Sequence, residues 1–326
     1  IGQRLWKERN IARILILGGS GFIGRHAVAA ALARGLDVSI GSRQPQRIDH
    51  KLPAIARDRP RIAVHMERMN SEEHWRDIVR QHDAVINCVG ILRQRGRETY
   101  EAVHHRAVAA LAKACRDRRL VHVSALGLEA PARSRFLTSK RCGEVALSTS
   151  QADWFLVRPS LLDGQGGFGA KWLQRVAQWP VHPLPSAARG RIAAFDVGEL
   201  GECLCALATA PRKEIPNDER IVELGGPQAL SLPEYLRALR RSPSPAPLLP
   251  IPNWLARMTS HVCDVLHLTP FSFGHWELLQ RDNLPNRNRA AEWLDENLQA
   301  WVAIQLSECR RSGLTGMHED TKQSED

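Results

Sequence analysis

Three glycines carry the first chemical signal. Gly18, Gly21 and Gly24 stand in the run Gly-Gly-Ser-Gly-Phe-Ile-Gly, directly after the aliphatic stretch Ala12–Leu17 and at the head of a helical pattern over 22–34. Between a strand and a helix, the first glycine can make the turn and the second can let backbone approach a pyrophosphate. The third lets the helix pack closely on the strand. Free N–H groups and the positive end of the helix dipole then face the phosphates. Ser20, Phe22 and Ile23 complete the loop and are expected to border the same ligand. Strand, spacing and helix agree, so the motif predicts a dinucleotide site.

The second strand, Leu36–Gly41, runs into Ser42 and Arg43. An NAD-selective fold places Asp or Glu near this point, about 20 residues after the glycines, to hold the ribose hydroxyls. Here a guanidinium can instead grip a 2′-phosphate with a charge-assisted, bidentate contact while Ser42 adds a hydrogen bond. NADP(H) is therefore expected in preference to NAD(H), which stays admissible. The bland alternative is that Arg43 simply belongs to the basic loop that also contains Arg47, Lys51, Arg57, Arg59 and Arg61.

The elements that must position these residues follow from hydrophobic periodicity. Short apolar runs at Ala12–Leu17, Leu36–Gly41, Ile62–Met66, Ala84–Val89, Leu120–Ser124 and Trp154–Arg158 alternate with helical patterns at 22–34, 71–80, 98–116 and 136–149. That alternation is the mark of βα units feeding a parallel sheet. Gly35 suits a left-handed cap after the first helix. The expected fold is α/β: a doubly wound, Rossmann-type parallel sheet over 11–225, followed by a smaller, mainly helical C-terminal region over 226–308. A further strand is expected at Arg191–Phe195, a helix at Val197–Ala208 and a short strand at Arg220–Leu224. The proline-rich run from Ser242 to Pro252 reads as an extended connector. Beyond it, Trp254, Leu255, Met258, Val262, Val265 and Leu266 recur at helical spacing, as do apolar residues in Ala290–Ser307. Residues 313–326 are polar and are expected to be disordered.

Composition bounds the function classes. Of 326 residues, 43% are hydrophobic and 25% charged, as in ordinary globular proteins. Lys and Arg outnumber Asp and Glu by 45 to 35, for a formal charge of +10, which favours anionic partners. The 43–61 loop lacks interleaved aromatics and no nucleic-acid module is recognisable, so nucleic acid is not expected as a partner. Seven irregularly spaced cysteines without C-x-x-C pairs argue for buried thiols in a reducing compartment and against a metal site. No apolar stretch matches a secretory signal or a membrane span. The expected setting is cytoplasmic, with peripheral contact to the inner membrane left open.

The glycine loop, Asp83-Ala-Val-Ile-Asn-Cys-Val-Gly90, Val121-His-Val-Ser-Ala-Leu-Gly127 and Val157-Arg-Pro-Ser160 together resemble the extended and atypical short-chain dehydrogenase/reductase superfamily. The likeness runs from about residue 11 to 300. Within it, the Asn-Cys-Val-Gly stretch, Tyr100-Glu-Ala-Val-His104, Glu223-Leu-Gly-Gly-Pro227 and the Leu-Pro-Ile-Pro connector resemble most the nucleotide-binding accessory subunit of respiratory complex I and its bacterial relatives. The resemblance implies that Cys88, Val89, Gly90, Lys140 and Pro159 also border the cofactor. It further implies a protein or membrane-associated partner for the C-terminal region.

Active members of that superfamily use a Ser and a Tyr-x-x-x-Lys motif. The tyrosine is the proton donor or acceptor, the lysine lowers its pKa and holds the nicotinamide ribose, and the serine orients the substrate carbonyl. The matching residues here are Ser124, Phe136 and Lys140. Four-residue spacing keeps Phe136 and Lys140 on one helical face. The phenolic oxygen is missing, and with it a contribution typically worth 10²–10⁴ in rate. Two readings follow. In the first, the chain holds NADPH as a structural or sensing cofactor. In the second, it is an NADP-dependent quinone or carbonyl reductase, or a sugar-nucleotide epimerase or dehydratase, with a substitute proton donor. Tyr100, His104, His105, His122 and Asp163 are the candidate substitutes, each with a plain structural alternative: a satisfied core histidine, or a turn-forming aspartate.

Overall fold

The computed structural model describes residues 12–210, 216–266 and 272–294. Six strands arise in the first half: β1 (Arg13–Leu17), β2 (Asp37–Ser42), β3 (Arg61–Ala63), β4 (Ala84–Asn87), β5 (Arg119–Val123) and β6 (Asp153–Pro159). Later come the two-residue strands β7 (Leu162–Asp163), β9 (Arg191–Ile192), β10 (Phe195–Asp196) and β12 (Leu230–Ser231). The remaining strands are β8 (His182–Pro185), β11 (Ile221–Leu224) and β13 (Leu248–Ile251). The central sheet is parallel throughout, in the order β11-β6-β5-β4-β1-β2-β3. This is the doubly wound arrangement that the alternation of patterns predicts.

Its strand order reverses between β1 and β4. Ligands of such sheets bind in the crevice outside the carboxyl ends of the strands at that reversal. The glycine loop after β1 and the Cys88–Gly90 turn after β4 both open there, and Cys88 N–H donates to Leu17 O at 3.0 Å.

Alternation along β1 explains both layers. Ile14 and Ile16 face one core with helices α1 (Phe22–Ala33) and α6 (Val197–Thr209), whereas Leu15 and Leu17 face another with α2 (Glu72–Val79) and α3 (Ala107–Ala114). Gly35, at φ +70°, turns the chain after α1. A π-helical segment, Glu101–Arg106, leads into α3. Next to it lies α4 (Arg135–Ser148), packed so closely that a side chain at Gly143 would sit 2.0 Å from His104 O.

Two expectations need correction. The strand expected over Ile62–Met66 ends at Ala63, because its neighbour β2 ends at Ser42 and only the Val64 N–H to Ser42 O bond remains beyond the ladder. The strand expected over Arg191–Phe195 is two pieces: β9 pairs antiparallel with β12, and β10 pairs parallel with β7. The proline-rich connector is extended, and part of it, β13, also forms a parallel pair with β8. His182 N–H and Ser186 N–H supply hydrogen bonds to Pro247 O and Ile251 O, so the missing proline N–H groups cost the pair little.

Besides α6, four further helices follow α4: α5 (Phe168–Ala177), α7 (Leu232–Leu239), α8 (Asn253–Leu266) and α9 (Phe273–Leu278), with a short α10 (Ala290–Trp293). Helix α10 covers the start of the periodicity read over Ala290–Ser307; the rest of that stretch, Cys309 and the 313–326 tail lie outside the described residues. No described helix is long and apolar enough to cross a membrane.

Candidate functional site

The glycine loop has the geometry its spacing implies. Gly18 takes a left-handed φ of +73°, and a Cβ there would lie 3.1 Å from Val89 Cγ2. A Cβ on Gly24 would lie 2.1 Å from Gly18 O, so α1 can approach β1 only with hydrogen at that position. Gly21 is the exposed N-cap of α1; no side chain caps the helix and its first turn holds no acid. The first-turn N–H groups are thus left for an anion. Ser20 Oγ lies 3.0 Å from Ser42 Oγ, joining the loop to the end of β2. Arg43 is exposed and forms an ion pair with Glu98.

Across the crevice, Asn87 organises the turn after β4. Its Oδ1 accepts from Val89 N–H at 3.1 Å, which leaves Nδ2 to donate to His122 Nδ1 at 3.1 Å. His122 is therefore a neutral imidazole carrying its hydrogen on Nε2, and burial drives its pKa down to about 3. Burial also raises the Cys88 thiol far above its ordinary range, so it stays protonated. Gly90 is exposed beside this turn.

Ser124 follows β5 immediately, tied by its N–H to Val157 O at 2.7 Å. Its Oγ is buried and has no hydrogen-bond partner among the described residues. An orphaned hydroxyl of this kind costs free energy unless a ligand completes it. Pro159, at the end of β6, accepts from Leu126 N–H at 3.2 Å on the same rim.

Helix α4 supplies Phe136 and Lys140. Phe136 is 9% exposed and is enclosed by aromatic rings: Tyr100 and His104 meet it edge-on at 5.6 Å, and His275 stacks on it at 6.0 Å. The Lys140 ammonium lies 6.0 Å from the Phe136 ring centre. Desolvation lowers its pKa to about 8, opposed by Glu144 one turn on. Glu144 is itself gripped by Arg158 at 2.6 and 3.1 Å.

The substitute proton donors differ in what their surroundings permit. Ile91 N–H donates to His104 Nε2 at 3.0 Å, and His104 Nδ1 sits 3.1 Å from Ser139 Oγ, which in turn donates to Phe136 O. These bonds hold His104 as a neutral Nδ1–H tautomer, and burial with the nearby Lys140 charge lowers its pKa further. His104 is thus a satisfied core histidine, and His122 has its Nδ1 engaged by Asn87. Tyr100 donates its hydroxyl hydrogen to Leu92 O at 2.9 Å, and His105 pairs with Glu101. Asp163 accepts from Gly164 N–H at 2.7 Å, the turn-forming role.

Sequence reasoning missed the C-terminal closure of the site. Glu277, buried on α9, accepts from Arg133 N–H at 2.9 Å and Ser134 N–H at 2.8 Å, capping the entrance to α4 from 143 residues away. A cavity of about 470 Å3 opens beside Phe136, lined by Tyr100, Ser134, His261 and Phe273 and by Arg93, Arg133 and Arg135. The one local signal was Ser272, which caps α9 by accepting from His275 N–H. Among the described residues no three His, Cys, Asp or Glu side chains gather as metal ligands would.

The cradle that a Cβ would fill and the orphaned Ser124 hydroxyl both fit a dinucleotide. A family model for NAD(P)H-binding proteins matches residues 18–195. The chain belongs to this NAD(P)H-binding family. A ceramide reductase of Caulobacter vibrioides is 26% identical over 219 residues, or 61% of either chain; this chain thus spans about six-tenths of that relative's length. Among solved structures, Pal from Bacillus thuringiensis superposes with a TM-score of 0.60 at 14% identity, over 86% of this chain and 92% of Pal. The Thermus thermophilus UDP-glucose 4-epimerase, in complex with NAD, gives 0.53 at 20% identity over 74% and 86%. The Bacillus anthracis dTDP-glucose 4,6-dehydratase, also with NAD, gives 0.57 at 14% over 74% and 84%. These likenesses show that the NAD(P)H-binding chain shares the fold of that epimerase and that dehydratase.

Proposed function

We propose that this protein binds NADP(H) and holds it without phenol-dependent turnover, as a structural or sensing cofactor. The observation that carries the reading is Phe136, set among Ser124, Lys140 and an intact glycine cradle. Gly18 to Gly24 would hold the pyrophosphate, with Ser42 and Arg43 at the 2′-phosphate. Cys88, Val89, Gly90 and Pro159 would flank the far half, and Lys140 would hold the ribose hydroxyls as a cation. When bound, the cofactor supplies hydride chemistry at its nicotinamide ring. Phe136 has no hydrogen to exchange there. The resemblance to the complex I accessory subunit supports this reading and suggests a protein partner at the C-terminal region. Calorimetry tests it: NADPH should bind and raise the melting temperature, with about 2.7 kcal/mol of added stability at 100 times Kd. Brisk NADPH oxidation with carbonyl, quinone or sugar-nucleotide panels would overturn it.

A second reading, an NADP(H)-dependent reductase with an unorthodox proton source, is favoured by the retained Lys140 and by the likeness to a ceramide reductase. At a pKa of about 8 the Lys140 ammonium is the most acidic cation beside Phe136, and it can release a proton near neutrality. This reading requires NADPH consumption that survives Ser124→Ala and disappears in both Lys140→Met and Gly21→Val.

A further inference from the structure

We propose that α8, with the β8–β13 pair beside it, seats the protein on an anionic lipid bilayer. Of the ten exposed large hydrophobic side chains among the described residues, seven belong to the stretch from Trp179 to Val262. Trp254, Met258 and Val262, at 67%, 53% and 47% exposure, are spaced by four and form one stripe along α8. Leu248 and Leu249 are also exposed, on alternate faces of β13. Soluble monomers rarely expose apolar side chains in such concentration without a partner.

Charge selects the partner. Between Glu234 and Asp264 the chain has no Asp or Glu, while Arg237, Arg241 and Arg257 are all exposed; on α8 itself Arg257 is the one arginine and Asp264 the one acid. An apolar helical stripe with a tryptophan at its start, in a stretch of chain whose exposed charges are arginines, is the pattern of an interfacial helix, which buries its apolar face at the headgroup boundary and draws on anionic lipid. The placement also has a use. Arg257 and His261 each precede a stripe residue by one position, and they line the two cavities that flank Arg133, the larger of which opens on Phe136. A bilayer touching the stripe therefore stands at the mouth of the candidate site. This inference holds whether or not the site turns over.

Co-sedimentation of the full chain with vesicles tests it. Phosphatidylglycerol-containing vesicles should pellet the protein, high salt should weaken binding by about tenfold or more, and pure phosphatidylcholine should bind far less. Trp254→Glu with Met258→Glu should abolish pelleting and leave NADPH affinity unchanged. Ile55→Glu, an equally exposed apolar site elsewhere, should bind vesicles like the parent. Absence of pelleting with anionic vesicles overturns the proposal, as does undiminished binding by the double variant. If the double variant instead abolishes self-association in lipid-free solution, and no vesicle binds the parent, the face belongs to a second copy and the proposal fails.

Discussion

Substituting Phe136→Tyr should convert a cofactor-holding site into one that turns over. The ring centre lies 6.0 Å from the Lys140 ammonium, which at a pKa of about 8 is still cationic by about ten to one at neutral pH. Taking that separation and an effective dielectric of about 20, the cation favours an ionised phenol by about 2.8 kcal/mol, or about two pKa units. The cation thus draws the new phenol down from its ordinary value near 10 toward the range of general acid catalysis, with the burial of the site opposing it. Lys140 and the phenol would titrate as a coupled pair, so the pH profile should show two apparent pKa values belonging to both. The expected gain is about 10²–10⁴ in NADPH oxidation with a carbonyl acceptor, equivalent to about 2.7–5.5 kcal/mol of barrier. Loss of NADPH absorbance across a carbonyl panel, measured for the parent, the variant and the variant combined with Lys140→Met, reads it directly. A parent that already reduces carbonyls briskly and is unchanged by the added oxygen would refute the reasoning. A gain that persists without Lys140 would refute the electrostatic part alone.

Other outcomes follow from single contacts. Gly24→Val places carbon where Gly18 O already stands, so it should cost about 1–3 kcal/mol of stability and remove the NADPH-induced rise in melting temperature; a normal thermal shift would contradict this. Arg43→Ala should narrow the preference for NADP(H) over NAD(H) by about 10–100-fold, the worth of a charge-assisted hydrogen bond, and calorimetry with both nucleotides measures the ratio. Acidification should destabilise the fold through His122. Its folded pKa of about 3 lies below the unfolded value near 6.5, so the unfolded chain takes up protons that the native one refuses. His122 alone then removes about 2 kcal/mol between pH 7 and pH 5, and His104 acts in the same direction. Denaturant titrations with equal unfolding free energies at those two pH values would disprove it.

The parts of this molecule that were legible in its sequence are those whose physics is local. The glycine loop is decided within seven residues: strand, turn and helix each leave their mark, and the contacts of Gly18 and Gly24 lie almost wholly within that run and the Cys88–Val89 turn. The four-residue step from Phe136 to Lys140 needed only helical spacing. The limits of β3 were less legible because an edge strand stops where its one neighbour stops. The β8–β13 pair was hidden by prolines, whose carbonyls still accept although their nitrogens cannot donate. Least legible was the enclosure of Phe136 by His275 and of the α4 entrance by Glu277, because nothing near Ser134 in the chain announces a carboxylate on α9.

That remote carboxylate has a temporal meaning. The two peptide hydrogens it accepts belong to the lead-in of the helix bearing Lys140, so during synthesis that lead-in emerges long before the group that satisfies it. The nucleotide crevice, built between β1 and β4, can assemble while the last third of the chain is still being made. The chamber beside Phe136 cannot. In this chain, then, the nucleotide crevice is framed by early strands, whereas the entrance to the helix beside the second chamber is completed by a group on α9, 143 residues further on.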